Sequence, residues 1–167
     1  MPNKNRTLDF ILISDDNGGI REDPWSGERY IEVLDPVGAN TDRLKTFFKD
    51  HNHNTDSAIG RVDNVRLFNN ELHGQVTFGS DSDSILNKYR EGILDSCSIG
   101  YIIRDYKVEE RDNEPDIVTV TGFDVIELSS VGIPFDRGAV HIPKRSDEDL
   151  IKEINIRLDN IAEKLGA

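Results

Sequence analysis

Short runs rich in β-branched and aromatic residues, separated by asparagine, glycine and proline, recur along most of this chain. Runs of this kind are typical of β-strands, and the residues between them are typical of turns. Asn69-Asn70 separates two of the runs at the distance expected for a hairpin. The runs cover residues 8–14, 29–33, 58–68, 71–78, 99–106 and 117–128. The pattern predicts a mostly β (α+β) fold with a small antiparallel, β-barrel-like body.

One segment inside this body has a helical pattern instead. Between residues 80 and 94, apolar side chains recur three or four positions apart, which is the spacing of one helix face. Ser82 or Ser84 can cap its start, and Gly92 marks its end. We therefore predict one inserted helix that leads directly into the sequence Ser-Cys-Ser-Ile-Gly-Tyr at residues 96–101.

The end of the chain has a second helical pattern, separated from the body by Pro143-Lys144-Arg145. Ser146 can cap this helix, and a regular apolar stripe follows at Leu150, Ile154, Leu158, Ile161 and Leu165. A stripe this regular is not expected to face water along its whole length. We predict two units, a body at residues 1–143 and a C-terminal amphipathic docking helix at residues 144–167.

The chain is strongly acidic, with 32 acidic against 20 basic residues and a net charge of -12. This charge repels phosphate backbones and anionic lipids, so we expect a protein partner or substrate, no nucleic acid and no membrane. Cys97 is the single cysteine, which excludes an internal disulfide framework and suits a reducing compartment. The apolar run at residues 10–13 is too short for a signal-peptide core, so we expect a cytoplasmic protein.

Ser98 is the candidate nucleophile. It lies where the predicted helix gives way to a strand, and a reactive serine needs a rigid, partly exposed place with a glycine nearby to admit a substrate. Serines beside glycine also occur in ordinary turns, so this feature alone does not identify a catalyst. In a strand, the side chain of Cys97 must point away from that of Ser98. We interpret Cys97 as a core residue, with thiol catalysis as the alternative.

A reactive serine needs a base, and the chain has four histidines: His51, His53, His73 and His141. His51 and His53 lie in a polar segment after an apolar patch, where a loop can project a side chain. The alternatives for this pair are a solvated loop and a metal site. A catalytic zinc site needs three ligands in fixed geometry, and we expect neither a metal nor another cofactor.

Glu127 is the candidate group to orient the base, because it is an acid inside an otherwise apolar strand. A buried carboxylate needs a partner, and a histidine N–H is a suitable one. The alternative is that Glu127 lies on the wet face of an edge strand. Asp124 is the second candidate for the same role.

Three stretches, in this order, resemble the prohead (capsid maturation) serine proteases of tailed bacteriophages, which share a fold with the herpesvirus assemblin proteases. The family pattern is a histidine shortly before an Ile-Gly strand start, a helix that runs into Ser-Ile-Gly-Phe/Tyr, and a strand with Glu-Val/Leu-Ser followed by proline. The resemblance covers roughly residues 44–140. The matching stretches are residues 50–52 with 59–62, residues 89–94 with 98–101, and residues 125–131 with Pro134.

The resemblance implies a role for each candidate. Ser98 would be the nucleophile that forms the acyl-enzyme, a histidine of the 50–54 loop the general base, and Glu127 the acid that orients it. We prefer His51 to His53. Assemblins use a second histidine in the third place, but His141 matches no motif. For the oxyanion, Arg137 or backbone N–H groups near Ser98 are the candidates.

The implied activity is that of a serine endopeptidase inside the assembling procapsid, in the host cytoplasm. It would cleave the major capsid protein, the scaffold protein and itself, without a cofactor. The C-terminal helix would support self-association or link the protease to scaffold-like sequence. The alternatives are a non-enzymatic capsid scaffold or assembly protein, and a metal-dependent hydrolase that uses His51 and His53.

Overall fold

The computed structural model describes residues 6–143, and within them the chain forms ten strands and one α-helix. The mostly β architecture predicted from the sequence is confirmed. In chain order the elements are β1 (Thr7–Ile13), β2 (Gly19–Glu22), β3 (Arg29–Leu34), β4 (Ala39–Asn40), β5 (Thr46–Lys49), β6 (Ala58–Phe68), β7 (Glu71–Phe78), α1 (Asp83–Arg90), β8 (Cys97–Glu109), β9 (Asp116–Ser130) and β10 (His141–Ile142).

The strands form a single curled sheet that makes a half-barrel. Its order is β10-β1-β7-β6-β5-β9-β3-β2, and β4 and β8 both pair with β9. The segment before β10 connects the two ends of the curl. Ile11 N–H donates to Val140 O and Cys97 N–H donates to Ala139 O, each at 2.9 Å. This segment therefore holds β1 close to the start of β8.

The hairpin of β6 and β7 confirms the bounds predicted for both runs. Asn69 and Asn70 occupy its two-residue turn with φ of 50° and 61°. Asparagine tolerates this left-handed conformation, and two such residues in succession make the turn whose twist matches that of the flanking strands. Local turn chemistry therefore decides this hairpin.

Strands β8 and β9 are longer than predicted, and they pair along most of their length. Three register shifts interrupt the pairing without ending it. Ser98 is the second residue of β8, the strand that follows α1, so it lies where the helix gives way to a strand, as predicted. The strand starts two residues earlier than predicted, at Cys97, whose N–H donates to Ala139 O.

The sheet also contains parallel pairings, all of them made by β9. Its second edge pairs in parallel with β3, β4 and β5 in turn. Parallel strands need long connections, and four elements lie between β5 and β9 along the chain. This long-range pairing places the loop after β5 beside the end of β9.

Helix α1 is inserted where predicted but is shorter than residues 80–94. It ends at Arg90, and Gly92 follows with φ of 70°. A glycine in this left-handed conformation commonly ends a helix. The N–H groups of Ile93 and Leu94 then donate back to Lys88 O, at 2.8 and 3.1 Å. Tyr89 packs edge-on against Phe10 with ring centres 5.2 Å apart, which fixes the helix to the core.

Apolar side chains on the inner face of the curled sheet form the core. Among the described residues, the largest fully buried side chains include Phe10, Phe47, Phe123 and Leu128. Burial of a side chain of this size stabilises a fold by about 1.5–3 kcal/mol. Glu127 and Ser129 alternate with core residues along β9 and lie on the other face of the sheet, where they are also buried, and the candidate site is built there.

The predicted C-terminal helix lies outside the described residues. Between residues 6 and 143, no helix has the length and apolar character needed to cross a membrane.

Candidate active site

A tight turn after β5 carries His51. Asn52 N–H donates to Lys49 O at 3.0 Å, and the two residues between them, Asp50 and His51, have φ of 53° and 54°. Two central residues with positive φ are characteristic of a type I′ turn. Such backbone conformations cost on the order of 1 kcal/mol per residue and occur preferentially at functional sites. Asp50 N–H also donates to Ser130 O at 2.9 Å, which ties the turn to β9.

Glu127 of β9 lies directly beside this turn. Its side chain is buried, and its Oε1 is 2.5 Å from His51 Nδ1. Ser129 Oγ donates to the other oxygen, Oε2, at 2.6 Å. Both carboxylate oxygens therefore have partners, as a buried carboxylate requires. The alternative that Glu127 lies on a wet strand face is wrong.

His53 approaches the same carboxylate from farther away. Its Nε2 is 3.7 Å from Glu127 Oε1, which is beyond hydrogen-bonding distance. Its ring packs against Phe48 with centres 5.4 Å apart. The structure thus gives one imidazole a direct hydrogen bond to Glu127 and leaves the second nearby.

Ser98 lies on the strand next to Glu127, on the same face of the sheet. It pairs with Ser129, and Gly100 pairs with Glu127. Directly paired residues project to one face, and so do residues two apart on a strand. His51 N–H donates to the hydroxyl of Ser129, the partner of Ser98, at 3.2 Å. Within the described part of the chain, no hydrogen bond joins Ser98 to the His51 ring.

Gly100 makes room for the Glu127 carboxylate. A Cβ atom at position 100 would lie 2.6 Å from Glu127 Oε1 and 2.7 Å from its Cγ. The sequence predicts that this glycine lets a substrate approach Ser98, and the structure adds a steric reason, because Gly100 also leaves space for Glu127. The strand period of two places residues 98 and 100 on one face, and residues 127 and 129 likewise. This period of two could have added Gly100 and Ser129 to the candidate site residues, because each lies two positions from Ser98 or Glu127.

Asp124 does not compete with Glu127 for the orienting role. Arg104 and Asn40 hydrogen-bond its side chain, at 2.6 and 3.1 Å. The hydrogen bond from Arg104 lowers the pKa of the Asp124 carboxyl.

Cys97 is buried on the opposite side of β8 from Ser98. Its Sγ donates to Ile11 O at 3.3 Å. Burial raises the pKa of the thiol far above its ordinary value, so the reactive thiolate is not available. The interpretation of Cys97 as a core residue is confirmed.

The two remaining histidines have partners elsewhere. His141 Nδ1–H donates to Asp9 O at 2.9 Å, and its ring packs against Phe10. His73 Nε2 is 2.8 Å from Glu71 Oε2. Neither belongs to the cluster around Glu127.

Arg137, the candidate for the oxyanion, lines an open cleft of about 820 Å³. Ser98 lines a separate, smaller cavity of about 40 Å³. The two cavities adjoin at Phe135, whose ring lies 3.7 Å below the Arg21 guanidinium. Arg137 and Ser98 therefore line neighbouring cavities and not a common one.

Across residues 6–143, no group of three or more histidine, cysteine, aspartate or glutamate side chains could hold a metal ion. His51 and His53 share one carboxylate, which is short of the three ligands that a catalytic zinc site needs.

Residues 27–152 match the sequence model of a known family, described as Caudovirus prohead serine protease. The matched region is well over half of the chain and contains His51, Ser98 and Glu127. No curated protein and no solved structure matches the chain. The match supports a hydrolase of peptide bonds and not the alternatives of a non-enzymatic assembly protein or a metal-dependent hydrolase. The chain belongs to the Caudovirus prohead serine protease family.

Proposed function

We propose that Ser98, His51 and Glu127 are the catalytic triad of this capsid maturation protease. The observation that carries the proposal is the hydrogen bond between the buried Glu127 carboxylate and His51 Nδ1, 2.5 Å long, beside the strand pair of Ser98 and Ser129. Acyl transfer requires a nucleophile, a base and an acid that orients the base. Ser98 and Glu127 lie on one face of the sheet, and the turn after β5 brings the His51 imidazole to Glu127.

The ring nitrogen of His51 that bonds to Glu127 determines which nitrogen is left to accept the proton of the Ser98 hydroxyl. Because the carboxylate accepts a hydrogen bond from Nδ1–H, Nε2 is left without a proton and can act as the base. The His51 side chain is 45% exposed, so Nε2 is accessible when a substrate binds beside Ser98. The Glu127 carboxylate then stabilises the imidazolium that forms.

The reaction then proceeds in two acyl transfers. Ser98 Oγ attacks the substrate carbonyl carbon while His51 Nε2 takes the hydroxyl proton, and the C–N bond breaks as His51 returns that proton to the leaving amine. A water molecule next attacks the Ser98 ester, and His51 takes the water proton and gives it to Ser98. Hydrogen bonds of a triad are often longer in a free enzyme, so we expect the Ser98–His51 bond to form in the substrate complex.

The substrates that we propose are the major capsid protein, the scaffold protein and the protease itself. Family membership supports action on capsid proteins in the assembling procapsid, within the host cell. The net charge of -12 favours protein substrates over nucleic acid. No step of the proposed reaction needs a cofactor.

The proposal is tested with a fluorophosphonate, a reagent that phosphonylates activated serines. We expect the wild-type protein to be labelled at Ser98, located by peptide mass spectrometry, and Ser98→Ala to remain unlabelled. A chelator should leave both labelling and self-cleavage unchanged, because the chemistry needs no metal. Labelling at another serine, or loss of cleavage with the chelator, would contradict the triad.

We also propose that residues 144–167 dock the protease on a second copy or on scaffold-like sequence and are not part of the catalytic body. Deletion of the residues after Arg145 is expected to leave cleavage of a short peptide intact and to abolish incorporation into procapsids. The apolar stripe of that segment needs a partner, which the deletion removes. Peptide cleavage and sedimentation with procapsids are the two measurements. An insoluble truncated protein would show that the segment belongs to the body.

A further inference from the structure

We propose that Ser129 is a positioning residue of the triad, which fixes both the Glu127 carboxylate and the turn that carries His51. The inference rests on the proposed triad and adds a fourth side chain to it. It concerns a residue that forms no bond to substrate and acts only through its neighbours.

One hydroxyl makes both contacts. Ser129 Oγ donates to Glu127 Oε2 at 2.6 Å and accepts from His51 N–H at 3.2 Å. Ser129 is fully buried, so it cannot reach a substrate and is not itself the nucleophile. Its backbone pairs with Ser98 on one side and with Phe48 on the other. Ser129 is therefore held at the centre of three strands and connects two members of the triad.

The donation to Oε2 fixes the rotation of the carboxylate. With Oε1 on His51 and Oε2 on Ser129, Glu127 cannot turn about its last bond without losing a buried hydrogen bond. Removal of the hydroxyl would leave His51 N–H without this acceptor and the buried Glu127 Oε2 without this donor, and an unsatisfied buried carboxylate oxygen is costly. The carboxylate and the turn would then be free to shift relative to each other.

Ser130 provides a matched control on the same strand. It is also buried, and its Oγ hydrogen-bonds with the Tyr89 hydroxyl at 2.9 Å. As the next residue of β9 it points to the opposite face of the sheet, away from Glu127. Ser130→Ala thus removes a buried hydroxyl and its hydrogen bond without touching the triad.

The experiment measures the second-order rate of phosphonylation by a fluorophosphonate as a function of pH, in the full-length chain. Relative to wild type, Ser129→Ala is expected to lower the rate about 10- to 100-fold, and Ser130→Ala less than about threefold. Because a carboxylate that can turn away from His51 stabilises the imidazolium less, the acid limb of the profile should move to lower pH in Ser129→Ala and stay in place in Ser130→Ala. Ser129→Thr, which keeps the hydroxyl, should recover part of the rate.

The outcomes separate this inference from the proposed function. Labelling of Ser98→Ala at the wild-type rate would refute the triad itself. If Ser98→Ala is inert but Ser129→Ala keeps the wild-type rate and acid limb, the triad stands and the role of Ser129 is refuted. If Ser129→Ala and Ser130→Ala lower the phosphonylation rate equally and the acid limb of the pH profile does not move, the Ser129 hydroxyl has a purely structural role. If Ser129→Ala fails to fold, Ser129→Cys is measured by the same criteria.

Discussion

Replacement of His51 by asparagine is expected to lower peptide cleavage by about 10⁴-fold or more, as removal of the base does in other serine proteases. Asparagine cannot take the proton of Ser98. It does tolerate the left-handed backbone of position 51, where φ is 54°, so the turn should survive the change. The measurement is kcat/KM on a peptide substrate, with self-cleavage on a gel as a second readout and thermal unfolding as a check of the fold.

His53→Asn is the matched control for this prediction. His53 lies in the same loop but 3.7 Å from Glu127 Oε1, where it makes no hydrogen bond. We expect cleavage to fall less than about tenfold, because loss of packing against Phe48 disturbs the loop only modestly. If His53→Asn is inactive and His51→Asn is active, the base is His53 and the mechanism otherwise stands. Full activity in both variants would refute histidine catalysis from this loop.

Replacement of Gly100 by alanine is expected to lower kcat by on the order of 10³-fold, because misplacement or loss of the orienting acid has effects of about 10²–10⁴-fold. The new methyl group would lie 2.6 Å from Glu127 Oε1, closer than nonbonded atoms approach. Glu127 must then move, and its contact with His51 Nδ1 is lost. Steady-state kinetics on the peptide substrate gives the measurement, with KM expected to change little.

Gly132→Ala is the control for the glycine change. A Cβ atom at position 132 would meet nothing within 4 Å, so this variant should have wild-type kinetics. For Gly100→Ala, the preference for alanine over glycine within a strand, about 0.5–1 kcal/mol, partly offsets the clash with Glu127, so we expect this variant to fold. Unchanged kcat in a folded Gly100→Ala protein would mean that the Glu127–His51 contact does not support catalysis.

Local patterns were sufficient for several parts of this protein. The hairpin of β6 and β7 follows from two strand-like runs and the Asn69-Asn70 turn, because all of these preferences act over a few neighbouring residues. The opposite directions of Cys97 and Ser98 follow from the strand period of two. Ser98 is a candidate because it follows the predicted helix with a glycine nearby, and Glu127 because it is an acid in an apolar strand, with the family resemblance assigning their roles.

The choice between His51 and His53 could not come from local pattern, because both lie in one polar segment. In the structure the two differ in their distance to Glu127, at 2.5 and 3.7 Å. That difference depends on the left-handed turn at Asp50 and His51 and on the parallel pairing of β5 with β9. The residue types in this segment predict neither the left-handed turn nor the parallel pairing.

The mostly β class, the inserted helix and the candidate residues Ser98, His51 and Glu127 could be predicted from the order of amino acids alone. Which of those residues meet depends on the folded chain, since His51 and Glu127 are 76 positions apart in sequence. The roles of Gly100 and Ser129 also appeared only there, because each depends on the register between β8 and β9. Strand periods and turn preferences arise from neighbouring residues, whereas register across a sheet arises from the packing of distant side chains into one core.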